Sequence, residues 1–208
     1  MNEIYSFTVE LSKEKEKKVE KTIIDKDTGE EKTVSVNEKF TEKEPVRVIL
    51  KEPNRRQIEE ADMEYSIEIS QCIKRGILTK AMLAKKYSDS GGLMAETALR
   101  RDIVDTETAY ASLFNHTADT KAQNRVILWY VLNLAYVARG EEDPEPLFVG
   151  DSFEQKENHY YELDEAQDEL YLLVQSKLAT FVSYWYFTAG VTRADIEQLD
   201  KDIEEGNV

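Results

Sequence analysis

Asp27-Thr28-Gly29 has the form of the tripeptide that carries the carboxylate of an aspartic protease. Such a carboxylate works as one of a pair that shares a proton in a buried setting. Here the tripeptide lies between Lys26 and Glu30, in a stretch rich in lysine and glutamate. That setting points to a turn. Asp25-x-Asp27-x-Gly29 opens like a calcium loop, but its glycine stands one place early, and the bidentate Glu and the flanking helices are missing. A di-iron bundle needs Glu-x-x-His on two helices. Three residues before His116 is Leu113, and three before His159 is Lys156, so the pattern fails. His159, between Glu157 and Glu162, reads as a surface residue of an acidic loop. Cys72 is the single cysteine; it falls on an apolar helical stripe and reads as core packing. No nucleophile elbow, P-loop or dinucleotide fingerprint is present, and Gly91-Gly92 alone does not cradle a phosphate. The sequence therefore predicts no catalytic, cofactor-binding or metal-binding residues, and a protein that is not an enzyme.

Charge narrows the partners. The net charge is −15 over 208 residues, and it is unevenly spread. Residues 1–53 are net −2, residues 54–140 net +1, and residues 141–208, with 18 acidic and 4 basic side chains, net −14. A field of that sign repels nucleic acid and anionic membrane and attracts basic surfaces. The one basic cluster, Lys74, Arg75, Lys80, Lys85 and Lys86, has no interleaved exposed aromatics. It suits the acidic third of this chain or of a neighbouring subunit better than a phosphate backbone. The N-terminus has neither a basic n-region nor an apolar h-region, so no signal peptide is expected. With one cysteine, this favours a reducing cytoplasm or a particle assembled there.

The elements that would position any site are mostly helical. Residues 3–12 alternate, with Tyr5, Phe7, Val9 and Leu11 on one face, and so predict a half-buried strand. Val46, Val48 and Leu50 predict a second, closed by Pro53. Between them, Val19–Ile24 and Lys32–Val36 are weaker strands joined around Gly29. Strand 3–12 should pair antiparallel with strand 45–52, and a hairpin at about 15–42 should project as an arm. At Pro53 the period changes from 2 to 3.6. Asn54 with Gln57 predicts a helix running to Gly76 on a stripe of Ile58, Ala61, Tyr65, Ile69, Cys72 and Ile73. Thr79 caps a helix over 80–87, with Met82 and Leu83 inward, ahead of a loop at Ser88–Gly92. A third helix is expected over 93–115 and a fourth from about Asp119 to Arg139-Gly140. Pro144 and Pro146 break structure, Leu147, Phe148 and Val149 dock on the core, and residues 152–162 are loop or short helix. Asp164 to Gly190 reads as one long, almost wholly apolar rod, too polar at Gln175, Ser176, Lys177 and Ser183 to span a membrane. Thr192 with Asp195 opens a short acidic helix striped by Ile196, Leu199 and Ile203. The expected fold is mainly α, a bundle of about five helices, with a small N-terminal antiparallel β element and a projecting β-hairpin. Its divisions are a β element at 1–53, a helical bundle at 54–190 and an acidic C-terminal helix at 191–208.

The segment from Val46 to Gly92 carries a resemblance. Pro53-Asn54-Arg55-Arg56-Gln57-Ile58-Glu59-Glu60-Ala61-Asp62, then Gly76-Ile77-Leu78-Thr79-Lys80-Ala81-Met82-Leu83-Ala84-Lys85-Lys86-Tyr87, then Gly91-Gly92, resembles structural or assembly proteins of large tailed bacteriophages. The β-rich N-terminal part followed by an acidic helical part is also similar to the general plan of tail assembly chaperones. The resemblance implies a non-enzymatic component of a tailed phage that binds other phage structural or assembly proteins, or itself. It implies a place in the host cytoplasm during assembly, or in the virion. A tail assembly chaperone absent from the virion is one alternative, and an acidic nucleic-acid mimic or host-interaction protein is another. Neither membrane nor nucleic acid is an expected partner. The residues expected to meet partners are Ile23, Ile24, Asp27, Gly29 and Val34 in the arm, and Ile196, Leu199 and Ile203 on the C-terminal helix.

Overall fold

The computed structural model describes residues 2–24, 31–89, 115–140 and 142–206. Two long strands open the chain, β1 (Glu3–Ile24) and β2 (Glu31–Lys51). They pair antiparallel in one ladder from Tyr5↔Leu50 to Ile24↔Glu31, and the single register shift lies between Glu3 and Tyr5. Helices α1 (Arg55–Lys74), α2 (Lys80–Asp89) and α3 (Ala118–Leu134) follow. Strands β3 (Ala135–Arg139) and β4 (Glu145–Pro146) lead to α4 (Phe153–Glu165), α5 (Glu169–Phe187) and α6 (Arg193–Glu204). The sheet is antiparallel, in the order β1-β2-β3-β4. The fold is thus mainly α with a small sheet, and six helices lie among the described residues.

The period-2 pattern builds the core side of the sheet. Tyr5 and Phe7 pair with Leu50 and Val48, and all four are buried. Phe181 of α5 sits edge-on to both aromatic rings, 5.3 Å from Tyr5 and 5.6 Å from Phe7 between centroids. The two apolar helices lie side by side. Tyr130 of α3 meets Trp185 of α5 at 5.3 Å and stacks edge-on with the buried Trp129 at 5.4 Å. Val126, Leu134, Val174, Leu178 and Val182 complete this interior.

Capping follows the expected chemistry at both ends of the helical part. Asn54 and Gln57 form a reciprocal capping box on α1, and Thr192 and Asp195 form one on α6. Gly76, at φ +82°, sits just past the end of α1. Thr79 Oγ1 accepts from the Met82 amide at 3.2 Å and so caps α2.

Several boundaries differ from expectation, each for a local reason. The rod expected over Asp164 to Gly190 is one helix from Glu169 to Phe187, and Asp164 and Glu165 close the preceding helix instead. Gln167 takes a left-handed conformation at φ 52°, and the Asp168 and Gln167 amides donate to the carbonyls of Leu163 and Asp164. These are the two hydrogen bonds of a Schellman ending. Asp168 then caps α5, its Oδ1 accepting from the Tyr171 amide at 2.9 Å. The stretch at 152–162 is the front of α4, capped by Ser152. The fourth expected helix stops at Leu134, and Ala135 turns extended because Ala135–Arg139 takes up the open edge of β2 at Val46–Leu50. β3 ends opposite Val46, beside Pro45. Met82 is exposed and only Leu83 points inward, Ile58 and Ile73 are exposed, and Val149 stands in solvent while Leu147 and Phe148 dock. Ser88 and Asp89 extend α2. The helix expected over 93–115 lies almost wholly outside the described residues, and so does the Gly91-Gly92 loop.

Phe181 joins the sheet to the helices and is fully buried. Phe181→Ala should cost about 3–5 kcal/mol, the range for truncating a buried aromatic. The measurement is urea unfolding, with the midpoint lowered and the slope unchanged.

Candidate interaction surfaces

The most distinctive surface is the arm. β3 pairs with β2 only at Val46–Leu50, so beyond that point β1 and β2 pair with each other alone. From Lys13 to Ile24 the ribbon continues for twelve residues beyond Ser12. At about 3.4 Å per residue this is roughly 40 Å. An isolated two-stranded ribbon is marginal in water, and both its edges carry unpaired backbone groups.

The backbone register runs unbroken along the arm, with Lys21 opposite Val34, Ile23 opposite Lys32 and Ile24 opposite Glu31. Asp27 and Gly29 lie outside the described residues.

The C-terminal helix is placed differently. Ile196 is fully buried in the core, and Leu199 and Ile203 pack against it. All three face this chain's own interior, where α6 lies on β1 and α5. A buried carboxylate fixes the helix there. Asp200 accepts from the Tyr5 hydroxyl at 3.0 Å and from Lys177 Nζ at 2.7 Å, and Lys177 also reaches Glu204 at 2.9 Å. Burial and the Asp200 carboxylate push the Tyr5 hydroxyl up to about 12. Burial alone would lower the Lys177 ammonium, but its hydrogen bonds to Asp200 and Glu204 outweigh that and raise it. Three elements are therefore tied at one point.

A cleft of about 460 Å³ opens at the root of the arm, between the middle of β1 and β2, the β3–β4 turn and the α4–α5 joint. Its lining joins Val137, Leu163 and Leu170 with Arg139, Glu142, Asp143 and Glu145. The Ser12 amide on the open edge of β1 donates to Glu169 Oε1 at 3.0 Å beside it. His159 also lines this cleft, with Nδ1 accepting from the Val149 amide at 3.1 Å, a contact that holds the Leu147–Val149 turn to α4.

The other chemically suggestive residues take structural roles. The Cys72 thiol is buried and bonds to Glu68 at 3.2 Å; burial and that neighbour push its pKa up, away from reactivity. Arg125 joins α3 to Glu64 of α1 at 3.5 Å and to Glu157 of α4, and lies over the Phe153 ring. Among the described residues no group of three or more His, Cys, Asp and Glu could hold a metal ion, and no helix is long and apolar enough to cross a membrane. No family model, curated protein or solved structure matches the chain.

The Asp200 junction sets an alkaline limit. Tyr5, Lys177 and Tyr130, the last also pushed up to about 12 by burial, hold their protons more tightly in the folded chain than in the unfolded one. Their contribution to stability is whole below about pH 10 and is lost as pH rises toward 12. Urea midpoints should therefore fall across that window, and part of the eleven tyrosines should fail to ionise near pH 10 by tyrosinate absorbance. Tyr5→Phe should cost about 1.5–3 kcal/mol at neutral pH, the range for a hydrogen bond to a charged group, and flatten part of the alkaline decline.

Proposed function

We propose that this protein is a non-enzymatic structural or assembly component that acts by binding other proteins, with the β-ribbon arm as its main docking element. The resemblance over residues 46–92 suggests a tailed bacteriophage as the setting. The observation that carries the reading is the arm itself, about twelve residues of two-stranded ribbon beyond the packed sheet. A ribbon of that length exposes backbone donors and acceptors on two edges and has little of its own body to bury them against. Addition of a strand to such an edge, or seating of its face on a neighbour, is a general mode of protein recognition. The closure of α6 onto the core leaves the arm as the stronger candidate of the two expected regions.

Removing residues 15–42 and joining the ends with a short glycine-containing turn should leave helical circular dichroism and the urea midpoint nearly unchanged. Assembly or partner binding should be lost. A collapse of the helical signal would show instead that the arm belongs to the core. Mass spectrometry of purified particles from the source separates the roles. A virion component is found there at fixed stoichiometry, whereas a chaperone is abundant in infected cells and missing from particles. Absence from both would overturn the phage setting.

A further inference from the structure

We infer that the uncharged outer face of α5 is an isologous contact between two copies of this chain, with the two α5 helices antiparallel and the two-fold axis at Thr180. The inference is independent of the arm and goes beyond the proposed function.

Three observations point to a second copy. The first is an uncovered face. Leu172, Leu173 and Phe187 of α5 are 42%, 43% and 57% exposed, and Ser176 and Ala179 between them are exposed too. Two hollows open on this face. One, of about 460 Å³, is shared with Ile127 and Leu128 of α3 and Tyr160 of α4. The other, of about 480 Å³, is shared with Leu199 of α6. Ala179 and Ser183 line both, so the two hollows meet on α5. The second observation is charge. Charged residues make up 33% of the chain, yet among the described residues none that lines either hollow is charged. Close to a two-fold axis each residue meets its own copy, so a charge there would face a like charge. In a chain of net charge −15, a contact between copies needs an uncharged strip of this kind. A basic partner would instead be drawn to carboxylates elsewhere on the body. The third is symmetry. Leu173 and Phe187 each stand seven residues from Thr180, two helical turns or about 10 Å along α5, and so share its side of the helix.

A second α5 laid antiparallel over the first sets Leu173 of each copy against Phe187 of the other, at both ends of the contact. Ser176, Ala179 and Ser183 lie between these ends. Side chains this small let two helix axes approach to the short end of the usual range, roughly 8–10 Å. The bulky ends supply the apolar burial. Both copies use the same patch, so the contact closes at a dimer. The acidic surfaces elsewhere oppose it at longer range, and salt that screens them favours the dimer.

Sedimentation velocity of the purified full-length protein, together with thiol crosslinking, tests this. Wild type should pass from the 24.0 kDa monomer to twice that mass as concentration rises, and raising the salt should strengthen the association. Ala179→Glu should weaken it by about a hundredfold or more, because each added carboxylate meets its own copy. Gln71→Glu, exposed on α1, adds the same charge and should leave it within about threefold. Under a mild oxidant, Thr180→Cys should link to its own copy as a disulfide. Glu59→Cys on α1, and wild type with its buried Cys72, should not. Deleting residues 15–42 should leave the dimer intact. Unchanged helical circular dichroism in each variant excludes misfolding as the cause of any loss. Wild type that stays monomeric at every concentration overturns the inference. So does association that weakens with salt, survives Ala179→Glu, falls with the arm deletion or gives no Thr180→Cys link. A monomer whose introduced thiol is shielded from maleimide would place the cover within this chain, and one whose thiol reacts freely would leave the face to a different protein. Either result removes the second copy and leaves the proposed function of the arm standing.

Discussion

The register of β1 against β2 is the constraint on which the rest depends. A strand has a period of two, so a slip of one residue would turn every side chain to the opposite face. The root of the ribbon prevents that slip. Tyr5, Phe7, Val46, Val48 and Leu50 have a buried place only in the observed phase, because Phe181 packs edge-on between the two aromatic rings. The arm continues that phase from the core through an unbroken ladder of paired backbone.

The body is built to hold that root still. α6 closes over β1 through Ile196 and through the Asp200 junction with Tyr5 and Lys177. A carboxylate buried this deeply is costly unless its oxygens are satisfied, and here each oxygen has a donor. Removing either partner would leave part of that charge uncompensated. The residue that anchors the C-terminal helix is therefore also one that fixes the first strand. On the other side, Arg125 and Lys156 tie α4 to α3, Arg125 through Glu157 and Lys156 through Asn133. The acidic C-terminal third is ordered over most of its length by contacts of this kind.

Much of this was legible in the residues. The alternation at 3–12 and 46–50, the caps at Asn54 and Thr192 and the pairing of two apolar helices all rest on local pattern, and local pattern suffices for them. Two features were not legible, one decided by a distant partner and one by an unusual local conformation. Ala135–Arg139 continues an apolar helical run without punctuation, and only the open edge of β2 makes it a strand. The stop at Gln167 uses a left-handed residue that is not glycine, so the usual signal is missing. Asp164, where the rod was expected to open, lies in the last turn of α4. Ile196 was rightly placed on an apolar stripe, but the stripe alone could not say whether the chain itself or another would cover it.

Pro45 gives the sheet a boundary with wider meaning. Proline has no amide hydrogen, so within a ladder it is tolerated where its nitrogen faces away from the paired strand. It stands at the point where β3 ends and the two-stranded ribbon begins. A strand creeping along the outer margin of β2 from the body would lose a donor at that step. Pro45 therefore sets how far a strand from the body can be added along β2.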